Sequence, residues 1–312
     1  MYLRFGYEMQ FELASPTPMV VNLFTHPSQA WALRRPEQLH VEPDVALETF
    51  VDGFGNKVGR IMAPTGKVRL WYDNVALDSG QIEPVIEGGS LSKIEDLPSG
   101  CLPFLMASRY CEVERLSPMA WDLFGKTPSN WERVQAVLDW VNKNVTFGYR
   151  FARNTKTAWD VWYERKGVCR DFQHLAITLL RALNIPARYA TGYLGDIGVP
   201  EEPFPMDFSA WMEVYVDRKW ITVDARYNSP RIGRVLMARG RDAIDVAITT
   251  SFGAAKLEKF HVWLDECAPT AITQADAVPP MEVKPGYYIG TPPVAPTAPA
   301  PGPTPSPLPA AA

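Results

Sequence analysis

The sequence predicts an α+β protein, and three observations carry that expectation. Aromatic and β-branched residues alternate with turn signals over the first 77 residues, apolar residues recur at helical spacing between 131 and 183, and three strand-like runs follow between 187 and 225. The 312 residues are expected to divide into three parts. These are an antiparallel β-rich N-terminal domain (1–95), a core (96–278) with a cysteine-bearing helix packed on an antiparallel sheet, and a disordered Pro/Ala-rich tail (279–312).

In chain order, strands are expected at Tyr2–Leu13, Met19–Thr25, Val58–Ala63 and Lys67–Leu77. Turn sequences such as Asp52-Gly53-Phe54-Gly55-Asn56 and Pro64-Thr65-Gly66 separate them, a spacing that suits a small antiparallel sandwich. Asp78–Gly100, with its Gly, Ser and Pro clusters, reads as the link to the core. Ser129-Asn130-Trp131-Glu132 has the form of a capping box, after which Val134, Val137, Leu138, Val141 and Val145 keep helical spacing. A second helix is expected from Cys169 to Leu183, with Phe172, Leu175, Ala176, Leu179 and Leu180 on its buried side; Asn184 and Pro186 stop it.

Strands are then expected over Ala187–Leu194, Phe208–Val216 and Lys219–Ala225. A two-residue turn at Asp217-Arg218 makes the last two a hairpin in which Val216 opposes Lys219 and Trp211 opposes Asp224. That register puts Ser209, Trp211 and Glu213 on one face with Thr222, Asp224 and Arg226, and Asp224 within diagonal reach of Ser209.

Composition excludes several classes. Of 29 prolines, 12 fall between Pro279 and Pro309, and no charged residue occurs from Pro285 to Ala312. Such a segment cannot bury enough apolar surface to offset its ordering entropy, so it is expected to be a spacer or a ligand for a proline-reading partner. With 31 basic and 35 acidic residues, the net charge of −4 provides no basic field for nucleic acid. No apolar run approaches the ~20 residues that span a bilayer. The opening MYLRFGYEMQFELASP lacks the apolar middle of an export signal, so a cytoplasmic location without membrane contact is expected. The four cysteines (Cys101, Cys111, Cys169 and Cys267) contain no CxxC pair, which points to reduced thiols and to no metal or cofactor.

Cys169 stands apart from the other three. It lies where the backbone turns into the second helix, whose free amides and positive dipole end favour a thiolate, so a lowered pKa is expected. Gly167 allows a tight approach and Arg170 adds positive charge. Cys101, Cys111 and Cys267 read as small buried hydrophobes.

The surrounding residues form a longer pattern. Gly167-Val168-Cys169-Arg170-Asp171-Phe172-Gln173-His174-Leu175 is followed by Leu183-Asn184-Ile185-Pro186-Ala187-Arg188-Tyr189 and Gly192-Tyr193-Leu194. Ala210-Trp211-Met212-Glu213-Val214-Tyr215 and Trp220-Ile221-Thr222-Val223-Asp224-Ala225-Arg226 complete it. Over roughly residues 101–265 this order resembles the transglutaminase-like superfamily of bacterial cysteine enzymes. The β-rich first hundred residues are similar to the N-terminal region that precedes this core in many bacterial members.

The resemblance implies a papain-like core with a Cys–His–Asp arrangement. Cys169 would attack a glutamine or peptide carbonyl, giving an acyl-enzyme that water or an amine resolves, and Asp224 would orient the base. Trp211, Tyr193 and Arg170 are candidate substrate-binding residues. A peptide or protein substrate is implied, and hydrolysis is favoured over transamidation because no residue pattern identifies an amine-acceptor site.

The family's histidine stands immediately before the Ala-Trp dipeptide, and here that residue is Ser209. A serine hydroxyl replaces imidazole neither as a base near neutral pH nor as a cation beside a thiolate. Three readings stay open. Another histidine serves: His174 lies about 140° around the helix from Cys169, His261 follows the core strands, and His26 and His40 belong to the N-terminal region. Alternatively, Cys169 works without imidazole, with Ser209 and Asp224 placing substrate or water, which suits activated esters and thioesters. In the third reading the protein is a non-catalytic relative that binds peptides in the same cleft. Some bacterial members of the family also carry serine at this position, so the exchange does not by itself mark an inactive protein.

Three further features have competing readings. The charges of Arg239, Arg241, Asp242 and Asp245 form either a groove lining or an internal Arg–Asp brace, with the brace favoured. Met206-Asp207-Phe208 is a cleft rim or a connector. Trp159 and Trp162 wall an acyl pocket or, as is commoner, belong to the core.

Overall fold

The alternating run Tyr2–Leu13 forms the long first strand, β1, of a computed structural model that describes residues 1–274 and 278–279. Beyond Pro279, the Pro/Ala-rich tail expected over 279–312 lies outside the described residues. Strands β2 (Thr17–Val21), β3 (His40–Glu42), β4 (Leu47–Val51), β5 (Lys57–Ala63) and β6 (Gly66–Leu77) follow. Helices α1 (Val113–Phe124), α2 (Trp131–Asn144), α3 (Ala158–Glu164) and α4 (Cys169–Ala182) come next, with the short parallel strands β7 (Thr146–Phe147) and β8 (Lys166–Gly167) among them. Strands β9 (Ala187–Tyr193), β10 (Ser209–Val216), β11 (Lys219–Val223), β12 (Val235–Gly240), β13 (Thr249–Ser251) and β14 (Ala255–Cys267) complete the α+β fold.

Two antiparallel sheets, ordered β14-β1-β6-β3 and β13-β2-β5-β4, enclose one core. Phe5, Tyr7, Leu13, Met19, Val21, Ile61 and Leu70 are buried in it, the inward half of each strand's two-residue period. A third sheet, β11-β10-β9-β12, turns Ala210, Met212, Val214 and Val216 toward Leu175, Ala176, Leu179 and Leu180 of α4. Helices α1, α2 and α3 cover the rest of α4, so this helix is buried nearly all round. Among the described residues, no helix is long and apolar enough to cross a membrane.

The hairpin register matches the sequence expectation: Val216 opposes Lys219 and Met212 opposes Val223. Asp217 and Arg218 both take the left-handed conformation (φ 48° and 61°) that a two-residue turn between twisted strands requires. Asn184, also left-handed at φ 62°, ends α4 as expected. The expected capping box of α2 is corrected: the cap is Asn130, whose side chain accepts from Glu132 N–H at 2.9 Å, not Ser129.

The expected division at 96–278 does not hold at its C-terminal end. β13 pairs with β2, and β14 runs antiparallel along the whole of β1, from Ala255 opposite Leu13 to Cys267 opposite Tyr2. Residues 249–267 therefore complete the N-terminal sheets rather than the core. Tyr193, Phe208, Val235 and Met237 of the third sheet and its loops also enter the sandwich core, which locks the two layers together.

Gly6, between Asp73 of β6 and Trp263 of β14, sits at the tightest crossing of the first sheet. A Cβ there would lie 2.1 Å from the Tyr72 carbonyl oxygen and 2.4 Å from the Trp263 ring. Gly6→Ala is expected to lower unfolding free energy by about 1–3 kcal/mol in chemical denaturation, because the backbone oxygen cannot yield.

Candidate active site

Cys169 is the first residue of α4, and three neighbours set its place. The Val168 N–H donates to Asp171 Oδ2 at 3.0 Å, closing the helix start. Asp171, fully buried, folds back across Gly167, where a Cβ would stand 2.5 Å from its own. One turn beyond Cys169, on the same helix face, Gln173 is also fully buried. Its Nε2 donates to Asp224 Oδ1 at 2.9 Å and to the Ala210 carbonyl at 3.2 Å, and its Oε1 accepts from Ala225 N–H at 3.2 Å.

Asp224 follows directly on β11. Its Oδ1 also accepts the backbone N–H groups of Arg226 (2.9 Å) and Tyr227 (3.3 Å), while Oδ2 meets Arg234 Nη2 at 3.3 Å. Arg234 in turn donates from Nε to Glu83 Oε1 at 2.7 Å and lies over the Trp211 ring at 5.0 Å.

The electrostatics of the thiol reverse one expectation. Cys169 is half-buried at the junction of α4 and β10, and burial first, then the Asp207 charge, push its thiol up to about 11. Arg226 and the backbone N–H groups of Ala210 and Arg170 pull it back only in part. Burial thus outweighs the helix terminus, and the thiol is held in its protonated form at neutral pH. Arg170 does not supply the expected charge: its guanidinium is spent on Asp171 Oδ1 (3.0 and 3.1 Å) and the Arg153 carbonyl (2.6 Å).

A cleft of roughly 600 Å³ opens beside the site, between the loops around β10 and strand β14. Ser209, the first residue of β10, lines it with Asp207, Arg226, Tyr149, Phe204 and His261. Cys169 is not part of that lining; it is connected to it through Asp207 and Arg226, whose charges act on its thiol. Arg226 stacks 3.6 Å over the Phe147 ring and pairs with Glu202 at 3.2 Å. Burial raises the half-buried Asp207 carboxyl to about 6, opposed by the Phe208 amide and Arg226.

Two candidate substrate-binding residues fall elsewhere. Tyr193 is 1% exposed, packed edge-on against Phe5 and Phe208, and lines neither this cleft nor the neighbouring pockets. Trp211, 2% exposed, lies on the sheet face opposite α4, at a second pocket of roughly 400 Å³ with Arg234, Glu213 and Arg239. The period-2 pattern gave each side chain a face but not the layer that covers it.

The histidines separate as well. His174 points away from Cys169, stacks on Tyr110 at 5.0 Å and accepts the Ala243 N–H at 3.1 Å. His26 caps the turn Pro27–Ala32, and His40 stacks on Trp71 at 3.8 Å. His261, brought back by β14, stands on the wall of the cleft that Ser209 also lines, with its imidazole bonded to the Pro279 carbonyl. Trp159 and Trp162 pack on the helical core, and Arg241 braces Asp245 at 2.9 and 3.0 Å while Arg239 pairs with Glu213. Among the described residues, no three His, Cys, Asp or Glu side chains converge to hold a metal ion.

Two measurements check this site. The thiolate absorbance difference between the protein and its Cys169→Ser variant should develop around pH 11, and little should appear near the ~8.5 of a free cysteine. Gln173→Ala, which removes three buried hydrogen bonds, should cost about 2–4 kcal/mol of stability in chemical denaturation.

Known proteins resemble this chain. A model of the transglutaminase-like superfamily matches residues 119–225, a stretch that contains Cys169, Ser209 and Asp224. The crystal structure of a proposed cysteine protease from Cytophaga hutchinsonii is similar at 30% identity and a TM-score of 0.72, over 91% of this chain and 95% of that one. An uncharacterized protein of Mycobacterium leprae is 27% identical over 64% of this chain and 79% of its own length. A second uncharacterized protein, from Mycobacterium tuberculosis, is 30% identical over 36% of this chain and 40% of its own. A family pattern across the helix–strand junction and a likeness extending through nearly the whole fold converge: the chain belongs to the transglutaminase-like superfamily.

Proposed function

We propose that this protein is a cysteine enzyme acting on amide or peptide bonds of a peptide or protein substrate through an acyl-Cys169 intermediate, with hydrolysis favoured over transamidation. The observation that carries the proposal is the Gln173 clamp, which holds the start of α4 against both β10 and Asp224. A cysteine needed only for packing would not require a buried carboxamide tying its helix to an aspartate just beyond β11. The likeness to the Cytophaga hutchinsonii chain supports the same chemistry.

A thiol held near 11 attacks slowly unless its proton is taken as it reacts. Thioesters and activated esters should therefore react before amides do. The same raised thiol, with serine where imidazole is expected, supports a second reading, a cleft that binds peptides without turning them over.

Intact-mass spectrometry decides between them. Incubation with a thioester or p-nitrophenyl acetate should add one acyl group on Cys169, none on the Cys169→Ser variant, and the adduct should decay in water. Ser209→His should then raise amidase turnover by at least about tenfold. An unacylated Cys169 under these conditions would leave the binding reading standing.

A further inference from the structure

The serine at 209 leaves a specific chemical gap, since nothing in the expected triad can take the thiol proton. Of the histidines, His26, His40 and His174 are committed elsewhere: to a turn, to Trp71, and to Ala243 with its flanking Tyr110 and Tyr189 rings. A carboxylate is the other candidate. Asp207 is two residues ahead of Ser209 and lines the same cleft. It is carried on the segment that enters β10, which the Gln173 amide pins at the Ala210 carbonyl and whose Ala210 N–H reaches the Cys169 sulfur. After burial, its charge is the largest influence on that thiol.

We propose that Asp207 takes the place of the missing imidazole as the proton-transfer residue of the acyl-Cys169 reaction. The inference rests on the acyl-enzyme reading and names the group that makes it work. As sulfur bonds to the substrate carbonyl carbon, the S–H proton passes to an Asp207 carboxylate oxygen and the carbonyl π electrons move onto oxygen. When the tetrahedral adduct collapses, the carbon–nitrogen bond breaks and the proton passes from Asp207 to the leaving amine. Water then adds to the thioester, giving its proton to Asp207. The C–S bond breaks and the sulfur recovers that proton, releasing a carboxylic acid.

The surroundings suit the task. Arg226, above the Phe147 ring, is the cation acting on both Asp207 and Cys169, so one positive charge serves the carboxylate and the developing thiolate. Glu201 and Glu202 lie on the same loop as Asp207, and His261, Asp265 and Glu266 line the cleft from β14. A carboxyl near 6 is mostly ionised at neutral pH yet acidic enough, once protonated, to return its proton. A free aspartate, at about 3.9, would be a poorer acceptor.

The test is the pH dependence of Cys169 acylation by p-nitrophenyl acetate, followed by stopped flow and confirmed by mass. In the native chain the rate should climb with pH and level off above about 6, because the ionised carboxylate is the active form. Asp207→Asn should lose that levelling and acylate at least about tenfold more slowly at neutral pH, with a rate that follows hydroxide upward. Asp207→Glu should keep a levelling profile. Thermal melting shows that each variant is folded.

A native profile that follows hydroxide throughout overturns the proposal whatever the variants do. So does a levelling that survives Asp207→Asn, or one that is lost in His261→Asn instead. In each of these outcomes an acyl-Cys169 still forms. Its absence from the native chain is the separate result that removes the acyl-enzyme reading itself.

Discussion

The carboxamide of Gln173 spends its bonding at one junction. Its nitrogen serves a carbonyl of β10 and the Asp224 carboxylate, and its oxygen takes the amide of the next residue, Ala225. In a fully buried setting these bonds are worth more than their number, since no water replaces them when they are lost. The relation between the helix start, the strand that carries Ser209 and the turn after β11 depends on this clamp. Leucine would fill a similar volume and lose that relation.

Around the clamp, the charged side chains form a linked set. Asp224 is occupied by Arg234 and two backbone amides, and Arg234 is held by Glu83, so the segment expected to be a plain link contributes an anchor. Arg226 joins the two halves, since its amide bonds Asp224 while its guanidinium acts on the Cys169 thiol. The thiol is left high by burial and by the nearby Asp207. A protonated, shielded sulfur resists adventitious oxidation better than a free thiolate does.

Much of this was legible because it is local. β1, β5 and β6 follow two-residue alternation, α4 carries a full apolar face with a left-handed stop, and the hairpin register follows from a two-residue turn. β3 and β4 are short and mostly solvated, so their residues carry little alternation to read. α1 contains Pro118 and α3 is only seven residues long, which weakens the helical pattern in both. At the site, Cys169 and Asp224 stood out by spacing and motif. Gln173 and Arg234 did not, because a glutamine inside a helix or an arginine in a loop has no pattern until its distant partner is known. Asp207 was visible only as part of a loop; its influence on the thiol depends on burial and on Cys169, neither of which is local information.

Strand β14 places the last long stretch of described chain against the very first strand. During synthesis β1 emerges early, yet one of its edges stays open until residues beyond 255 have left the ribosome. The same strand builds one wall of the cleft. A nascent chain therefore lacks that wall until β14 has emerged, although the helix bearing Cys169 has already been made. The order of synthesis thus separates the making of the Cys169 helix from the closing of the cleft wall beside it.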